Sequence, residues 1–266
     1  MLTPAKKSKL LQEIKVYKKK YLDRDITELD ESGTRLMINT FLSDVLGYTH
    51  LEEIRTEYMI KGTYADYVIQ ASGIRHFLVE VKAYSLQLSD KHLRQTVNYG
   101  ANEGIEWALL TNGKTFEFYK ILFNKPIESR KIFTVDLTDS SNVKHSAELL
   151  QYLHRDSILK KGLKLLWNKC EALDPMNVAS IIYSKEVMNT IKKIIKNKYG
   201  EKCDDEELEK SLNKIVFEKI DPALIKPFRS GKSDKKPKKL TKNEEVKIAA
   251  SEEIEKVDDV PPPLLN

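Results

Sequence analysis

The sequence contains few of the residues that mark several protein classes. It has two cysteines and ten glycines among 266 residues. Cys170 and Cys203 cannot form a disulfide framework or a four-ligand zinc site by themselves, and they fit a reducing cytosol. The five histidines show no HxxxH spacing, which argues against a zinc enzyme.

Other absences exclude nucleotide-binding loops and membrane spans. No GxGxxG or GxxxxGK[ST] motif occurs, so neither a dinucleotide nor ATP is predicted to bind through such a loop. No long apolar run is present, and no signal-like segment opens the chain, so we expect a cytoplasmic protein that does not contact a membrane. The net charge of +5 permits a polyanionic partner without proving one.

Hydrophobic periodicity divides the chain into four regions. Residues 1–24 form a basic amphipathic helix, whose lysines either face solvent or contact phosphates. Residues 25–143 mix helix and strand patterns, and residues 146–228 keep helical spacing throughout. Residues 229–266 carry few large apolar side chains and separate lysines from acidic residues, which predicts a disordered tail.

The second region predicts a mixed sheet flanked by helices. Helices are expected at Glu31–Leu46, ended by Gly47, and at Ser89–Glu103, begun by Ser89. The expected strands are 57–60, 65–70, 76–82, 107–111, 115–119 and 131–137, with a turn at Gly62. Asn112-Gly113 joins two of these strands and is a strong hairpin signal.

The third predicted strand carries an unusual pair of charges near its end. Alternation places Val79 and Val81 on one face, so Glu80 and Lys82 share the other. Asp66 lies on the preceding strand, and a hairpin pairing would bring its carboxylate towards that of Glu80. Two carboxylates at about 4 Å repel each other by on the order of 1 to 4 kcal/mol. A positive group is therefore expected between them, either Lys82 or a hard divalent cation such as Mg²⁺ or Mn²⁺.

These residues resemble the PD-(D/E)xK nuclease signature. Asp66 is followed, after thirteen residues, by Glu80-Val81-Lys82, and Gln95-Thr-Val-Asn-Tyr99 matches the QxxxY motif of a subset of that family. This subset includes the N-terminal nuclease region of type I restriction endonuclease R subunits, whose "TNG" hairpin is similar to residues 107–119. The resemblance covers residues 29–137 and implies a restriction-endonuclease-like fold, with residues 25–143 as the nuclease domain.

The resemblance also implies a chemistry, namely Mg²⁺-dependent hydrolysis of DNA phosphodiester bonds in a restriction or phage-defence context. Its implied metal ligands are Asp66, Glu80, the carbonyl of Val81 and Glu31, with Mn²⁺ as a substitute ion. Lys82 would orient the attacking water and offset charge on the phosphate. Gln95 and Tyr99 would contact the substrate backbone or brace Lys82, because residues at i and i+4 share a helical face.

Two departures from the family pattern stand out. Ala65 replaces the proline of the family name, at a position that does not touch the metal. No Walker loop exists, so the chain has no helicase motor of its own, and a separate motor or specificity subunit is an expected partner. The chain therefore resembles only the nuclease part of an R subunit. In this respect it is similar to stand-alone, type IV-like restriction nucleases.

Several alternatives stay open from the sequence. Asp66 and Glu80 could be ordinary carboxylates in salt bridges with Lys82 and Arg35, and Glu31 could simply favour the helix dipole. The chain could also be a catalytically silent DNA-binding or scaffold subunit, or a nuclease that works only beside an ATPase. We expect a homo-oligomer, with the helical region serving assembly, regulation or target choice.

Overall fold

The computed structural model describes residues 1–24, 28–49, 51–60 and 63–218. The described residues fall into two compact units, Met1–Met188 and a second unit that begins at Asn189. The predicted tail at residues 229–266 and the predicted turn at Gly62 lie outside the described residues. In the described part of the chain, no helix combines the length and apolar character needed to cross a bilayer.

A six-stranded mixed sheet forms the centre of the first unit. Its strands are β1 (Ile54–Ile60), β2 (Thr63–Ala71), β3 (Ile74–Val81), β4 (Trp107–Thr111), β5 (Thr115–Leu122) and β6 (Glu128–Asp136). Strand order in space follows strand order in the chain. Neighbouring strands run antiparallel except for the parallel pair β3 and β4. The predicted mixed sheet flanked by helices is confirmed.

Helices cover both faces of this sheet. Helix α3 (Asp90–Glu103) connects the two parallel strands, as such a crossover requires. The other helices are α1 (Pro4–Tyr17), α2 (Glu31–Thr40), α4 (Val143–Leu150), α5 (Arg155–Ile158), α6 (Gly162–Ala172), α7 (Pro175–Ile182), α8 (Lys185–Tyr199) and α9 (Asp205–Glu218). Five-residue π-helical turns, Lys18–Leu22 and Phe41–Val45, extend α1 and α2.

Alternation along β3 sorts its side chains between two cores. Phe77, Val79 and Val81 join the large core that α1 and α2 also enter. Leu78 faces the opposite way and joins a smaller cluster that includes Tyr99 of α3. Because Glu80 has the same parity as Leu78, it lies on the α3 face of the sheet. The prediction that Glu80 lies on the face opposite Val79 and Val81 is therefore confirmed.

The Asn112-Gly113 hairpin forms between β4 and β5, as predicted, but with a three-residue connection. Only Gly113 adopts a positive φ, of 86°. Asn112 instead uses its side chain, whose Oδ1 accepts from the Thr115 N–H at 2.9 Å and whose Nδ2 donates to the Leu86 carbonyl at 2.8 Å. The Gly113 carbonyl accepts from the Tyr17 hydroxyl at 2.8 Å. The turn thus connects α1 with the loop that follows β3.

Candidate functional site

The hairpin of β2 and β3 brings two carboxylates together. Tyr67 pairs with Val79 in this antiparallel ladder, and the same register places Asp66 opposite Glu80. Directly opposed residues point to the same side of a sheet, with Cβ atoms about 5 Å apart. Like charges in such a pair are destabilising, so this arrangement is costly unless a cation is nearby.

Glu80 is buried, with 7% of its surface exposed, and both of its carboxylate oxygens have partners. Its Oε1 lies 2.5 Å from Lys82 Nζ. Its Oε2 accepts from the Thr96 hydroxyl, which reaches over from α3, at 3.1 Å. Glu80 is therefore held in one orientation by an ammonium group from its own strand and a hydroxyl from the helix above it.

Asp66 is also held from two sides. Its Oδ2 accepts from the Val81 N–H at 2.7 Å, a backbone donor beyond the end of the β2–β3 ladder. Its Oδ1 lies 3.1 Å from Nε of Arg35, on α2. The first contact fixes Asp66 against β3, and the second attaches it to the helix at the edge of the site.

Glu31 enters the site because α2 begins there. Asp30 caps this helix by accepting from the Gly33 N–H at 2.7 Å, so Glu31 is its first residue. The Glu31 carboxylate lies 3.1 Å from a terminal nitrogen of Arg35 and 3.7 Å from Lys82 Nζ. Glu31 therefore contacts both Arg35 and Lys82. These two cations also pair with Asp66 and Glu80, respectively.

The electrostatics of this group show an excess of negative charge in a poorly hydrated place. Burial raises the pKa of both Asp66 and Glu80, in spite of hydrogen bonds from the Val81 N–H and from Lys82. Asp66 further raises the pKa of Glu80, and Glu31 does the same to Asp66. Burial lowers the pKa of Lys82, but the hydrogen bond to Glu80 and the negative charges of Glu80, Glu31 and Asp66 together outweigh this, so the pKa is raised. Added positive charge would stabilise the ionised carboxylates.

The residues of the QxxxY motif occupy different surroundings. Tyr99 is buried in a cluster that includes Ala65 and Leu78. These two residues shortly precede Asp66 and Glu80 on β2 and β3. Gln95 is exposed on α3. The structure thus brings together Glu31, Asp66, Glu80 and Lys82. It packs Tyr99 against sheet residues on the α3 face and leaves Gln95 exposed.

Two residues in this group extend what the sequence indicated. Arg35, expected as a salt-bridge partner, bridges Glu31 and Asp66. Thr96 was not expected, although a signal existed. It is only 1% exposed and belongs to the buried stripe Leu93, Thr96, Tyr99, Gly100 of α3. A single polar residue within an apolar helical stripe needs a hydrogen-bond partner, and here the partner is Glu80.

Replacing Thr96 by valine tests its contact with Glu80. Valine keeps the shape but removes the donor to Oε2, which leaves a buried acceptor short of one partner. The family resemblance implies Mg²⁺-dependent DNA cleavage, and if this site carries out that reaction we expect Thr96→Val to lower its rate at saturating Mg²⁺ by about tenfold, which corresponds to about 1.4 kcal/mol. Thr96→Ser, which retains the hydroxyl, should recover most of the rate. Equal rates for the valine variant and wild type, at unchanged melting temperature, would show that the hydroxyl does not position Glu80.

The donor atoms of this site fit a hard divalent cation in kind. Asp66, Glu80 and Glu31 offer carboxylate oxygens, and the Val81 carbonyl adds a neutral one, the ligands that Mg²⁺ and Mn²⁺ prefer. Within residues 1–24, 28–49, 51–60 and 63–218, no three His, Cys, Asp or Glu side chains are arranged as a ready metal cluster.

One comparison with known proteins found a match. Residues 30–129 match the family model described as the type I restriction enzyme R protein N terminus. The match contains Glu31, Asp66, Glu80, Lys82, Gln95 and Tyr99, and it confirms the resemblance inferred from the sequence. Searches of curated proteins and of solved structures gave no match. Residues 30–129, which contain strands β1 to β5 and the acidic site, are therefore similar to the N terminus of type I restriction enzyme R proteins.

Proposed function

We propose that this protein is a Mg²⁺-dependent DNA endonuclease that acts in a restriction or phage-defence context. The observation that carries the proposal is the opposition of Asp66 and Glu80 on neighbouring strands, with the Lys82 ammonium on Glu80. Facing carboxylates are destabilising for a sheet, and their presence is explained if they serve a cation-dependent reaction. The similarity of residues 30–129 to a restriction-enzyme domain supports the same reading.

In this proposal Asp66, Glu80 and the Val81 carbonyl would hold Mg²⁺, with Glu31 as a ligand directly or through water. Bound there, the cation would polarise the scissile phosphate and lower the pKa of a coordinated water. Mn²⁺ would substitute, because it accepts the same oxygen ligands.

Lys82 has the role of a positioned cation. Its side chain is 18% exposed, so it is partly shielded from water yet open to the face on which substrate would lie. As an ammonium group it donates hydrogen bonds and cannot accept a proton, so it orients the attacking water rather than deprotonating it. Its charge also offsets the negative charge that builds on the phosphate during attack.

Helix α3 offers further contacts to the substrate backbone. Lys91, Arg94 and Gln95 are exposed on this helix, which also delivers Thr96 to Glu80. Lysine and arginine side chains bind phosphates through charge, and an exposed amide contacts them through hydrogen bonds. DNA is accordingly the proposed partner, with other subunits of a restriction system and a second copy of this chain as further partners.

Removing the divalent cation gives the direct test of this function. The purified protein should nick supercoiled plasmid DNA in buffer with Mg²⁺, and EDTA should abolish nicking, because no other group in the proposed site supplies the same charge. Restoring excess Mg²⁺ after EDTA should restore the activity, which controls for irreversible damage. Gel electrophoresis of the plasmid forms measures the outcome. Cleavage that continues unchanged in EDTA would contradict metal dependence.

A silent DNA-binding subunit is the second candidate. Arg35 and Lys82 already form ion pairs with Glu31, Asp66 and Glu80 in the described structure, so the site can persist without a metal ion. Tight DNA binding that is independent of Mg²⁺, without cleavage of duplex, single-stranded or modified DNA, would favour this candidate. Cleavage that begins only when a separate ATPase subunit is added would instead identify a nuclease subunit that depends on a motor.

A further inference from the structure

Arg35 occupies a position at which two roles compete. It lies in the second turn of α2, and its guanidinium reaches Glu31 Oε1 and Asp66 Oδ1, each at 3.1 Å. A planar guanidinium suits such bridging, because its donors point in fixed directions. The contact with Glu31 is also an i, i+4 pair within one helix, so it can persist whatever happens at Asp66.

The two oxygens of Asp66 are not equivalent. Oδ2 accepts from the Val81 N–H at 2.7 Å, and this contact belongs to the hairpin itself. Oδ1 faces Arg35 instead. A divalent cation that binds Asp66 and Glu80 together therefore approaches the oxygen that Arg35 contacts. The cation and the Arg35 guanidinium are both positive and therefore repel each other. The repulsion is strong because burial limits screening by water.

We propose that Arg35 exchanges partners during the working cycle. In the cation-free protein it is the counter-ion of Asp66, and when a divalent cation binds it leaves Asp66 and becomes a ligand for a DNA phosphate. This inference rests on the proposed function and adds a phosphate-binding residue to it. Arg35 keeps its hold on Glu31 throughout, so the guanidinium stays beside the site.

The surroundings of Arg35 suit the second role. Its side chain is 31% exposed, in contrast to the 9% of Glu80, so it lies at the open side of the site. Phosphates bind arginine through two parallel hydrogen bonds, which gives stronger and more directional contacts than an ammonium group provides. Without a cation, Arg35 reduces the repulsion between the carboxylates. Once a cation has replaced Arg35 at Asp66, the guanidinium would attract a phosphate of the substrate.

Calorimetric titration with Ca²⁺ alone, without DNA, tests the first half of the exchange. Ca²⁺ takes the same carboxylate and carbonyl ligands and gives a signal that does not depend on activity. Arg35→Gln removes the competing charge and should bind Ca²⁺ about tenfold more tightly than wild type. Arg35→Lys keeps the charge and should stay close to wild type. Arg75→Gln is the matched control, since Arg75 also pairs with a glutamate, Glu103, but at the opposite end of β3.

Fluorescence anisotropy with a duplex oligonucleotide tests the second half. At saturating Ca²⁺, Arg35→Gln should bind the duplex about tenfold more weakly than wild type, although it binds the cation more tightly. Damage to the fold would weaken the binding of both Ca²⁺ and the duplex. Tighter Ca²⁺ binding together with weaker duplex binding is therefore not expected from such damage. Unchanged or weaker Ca²⁺ binding by Arg35→Gln, or unchanged affinity for the duplex, would overturn the exchange.

The failure of this inference can be told apart from the failure of the proposed function. If wild type binds Ca²⁺ and Asp66→Asn does not, the metal site stands, and only the behaviour of the Arg35 variants decides the exchange. If wild type itself shows no Ca²⁺ binding, the proposed metal site is wrong and the exchange falls with it.

Discussion

Glu80→Gln is expected to lower the rate of plasmid cleavage in Mg²⁺ by about 1000-fold, or about 4 kcal/mol in activation free energy. Glutamine keeps the size of the side chain and can still accept from Thr96 at the position of Oε2. It removes the negative charge that, in our proposal, binds the cation and holds the Lys82 ammonium at 2.5 Å. Single-turnover cleavage measured at several Mg²⁺ concentrations distinguishes weaker cation binding from a slower chemical step.

A matched control for this substitution exists in the same row of the sheet. Glu80 pairs with Leu110, and Leu110 pairs with Glu117 on the next strand, so Glu117 is a buried carboxylate two strands away. Its oxygens contact Tyr119 and Lys131. Glu117→Gln should therefore affect stability more than cleavage. If Glu80→Gln cleaves as fast as wild type, or if both variants lose activity equally, the catalytic role of Glu80 is wrong.

Gly100→Ala should destabilise the protein by about 2 kcal/mol, against the usual preference for alanine in helices. An added Cβ would stand 2.6 Å from Ile121 Cδ1 and 2.7 Å from the backbone oxygen of Ile105. The Ile105 backbone has little room to yield, because its N–H donates to the Gly100 carbonyl at 2.8 Å. Helix α3 would have to move away from the sheet, and Thr96 would move with it.

Denaturant unfolding of Gly100→Ala beside Asn98→Ala measures this effect. Asn98 is exposed on the same helix, where alanine meets no obstacle and should be neutral or slightly stabilising. A stability of Gly100→Ala equal to that of wild type would mean that α3 can shift at little cost. Because α3 supplies the hydroxyl that contacts Glu80, we also expect reduced cleavage by the folded fraction of this variant.

Local patterns in the sequence were sufficient to predict much of the sheet. The strand that carries Glu80 alternates cleanly, so its buried and charged faces follow from a period of two. The Asn112-Gly113 pair marks the β4–β5 hairpin, although the length of the connection differs because the Asn112 side chain takes over backbone hydrogen bonds. The approach of Asp66 to Glu80 required only that consecutive strands pair as a hairpin.

Contacts between distant elements could not be predicted in the same way. The pairing of Arg35 with Asp66 depends on how α2 packs against the sheet edge, and the pairing of Thr96 with Glu80 depends on how α3 crosses above it. Periodicity also misses local breaks. Helical spacing is predicted throughout residues 146–228, but α7 ends at Ile182 and α8 begins at Lys185. In the predicted helix 31–46, α-helical hydrogen bonding ends at Thr40. Apolar residues continue at similar spacing through both breaks, so the pattern carries no sign of them.

The hairpin turn at Asn112 and Gly113 has a consequence for regulation. One residue of this turn bonds the loop just after Lys82, and the next bonds Tyr17 at the end of the first helix. Tyr17 is buried among the aromatic side chains of the large core. Displacement of the first helix would therefore be transmitted, through this turn, to the loop that follows Lys82. In the nuclease that we propose, a partner bound to the first helix would influence the acidic site through this turn without contacting DNA.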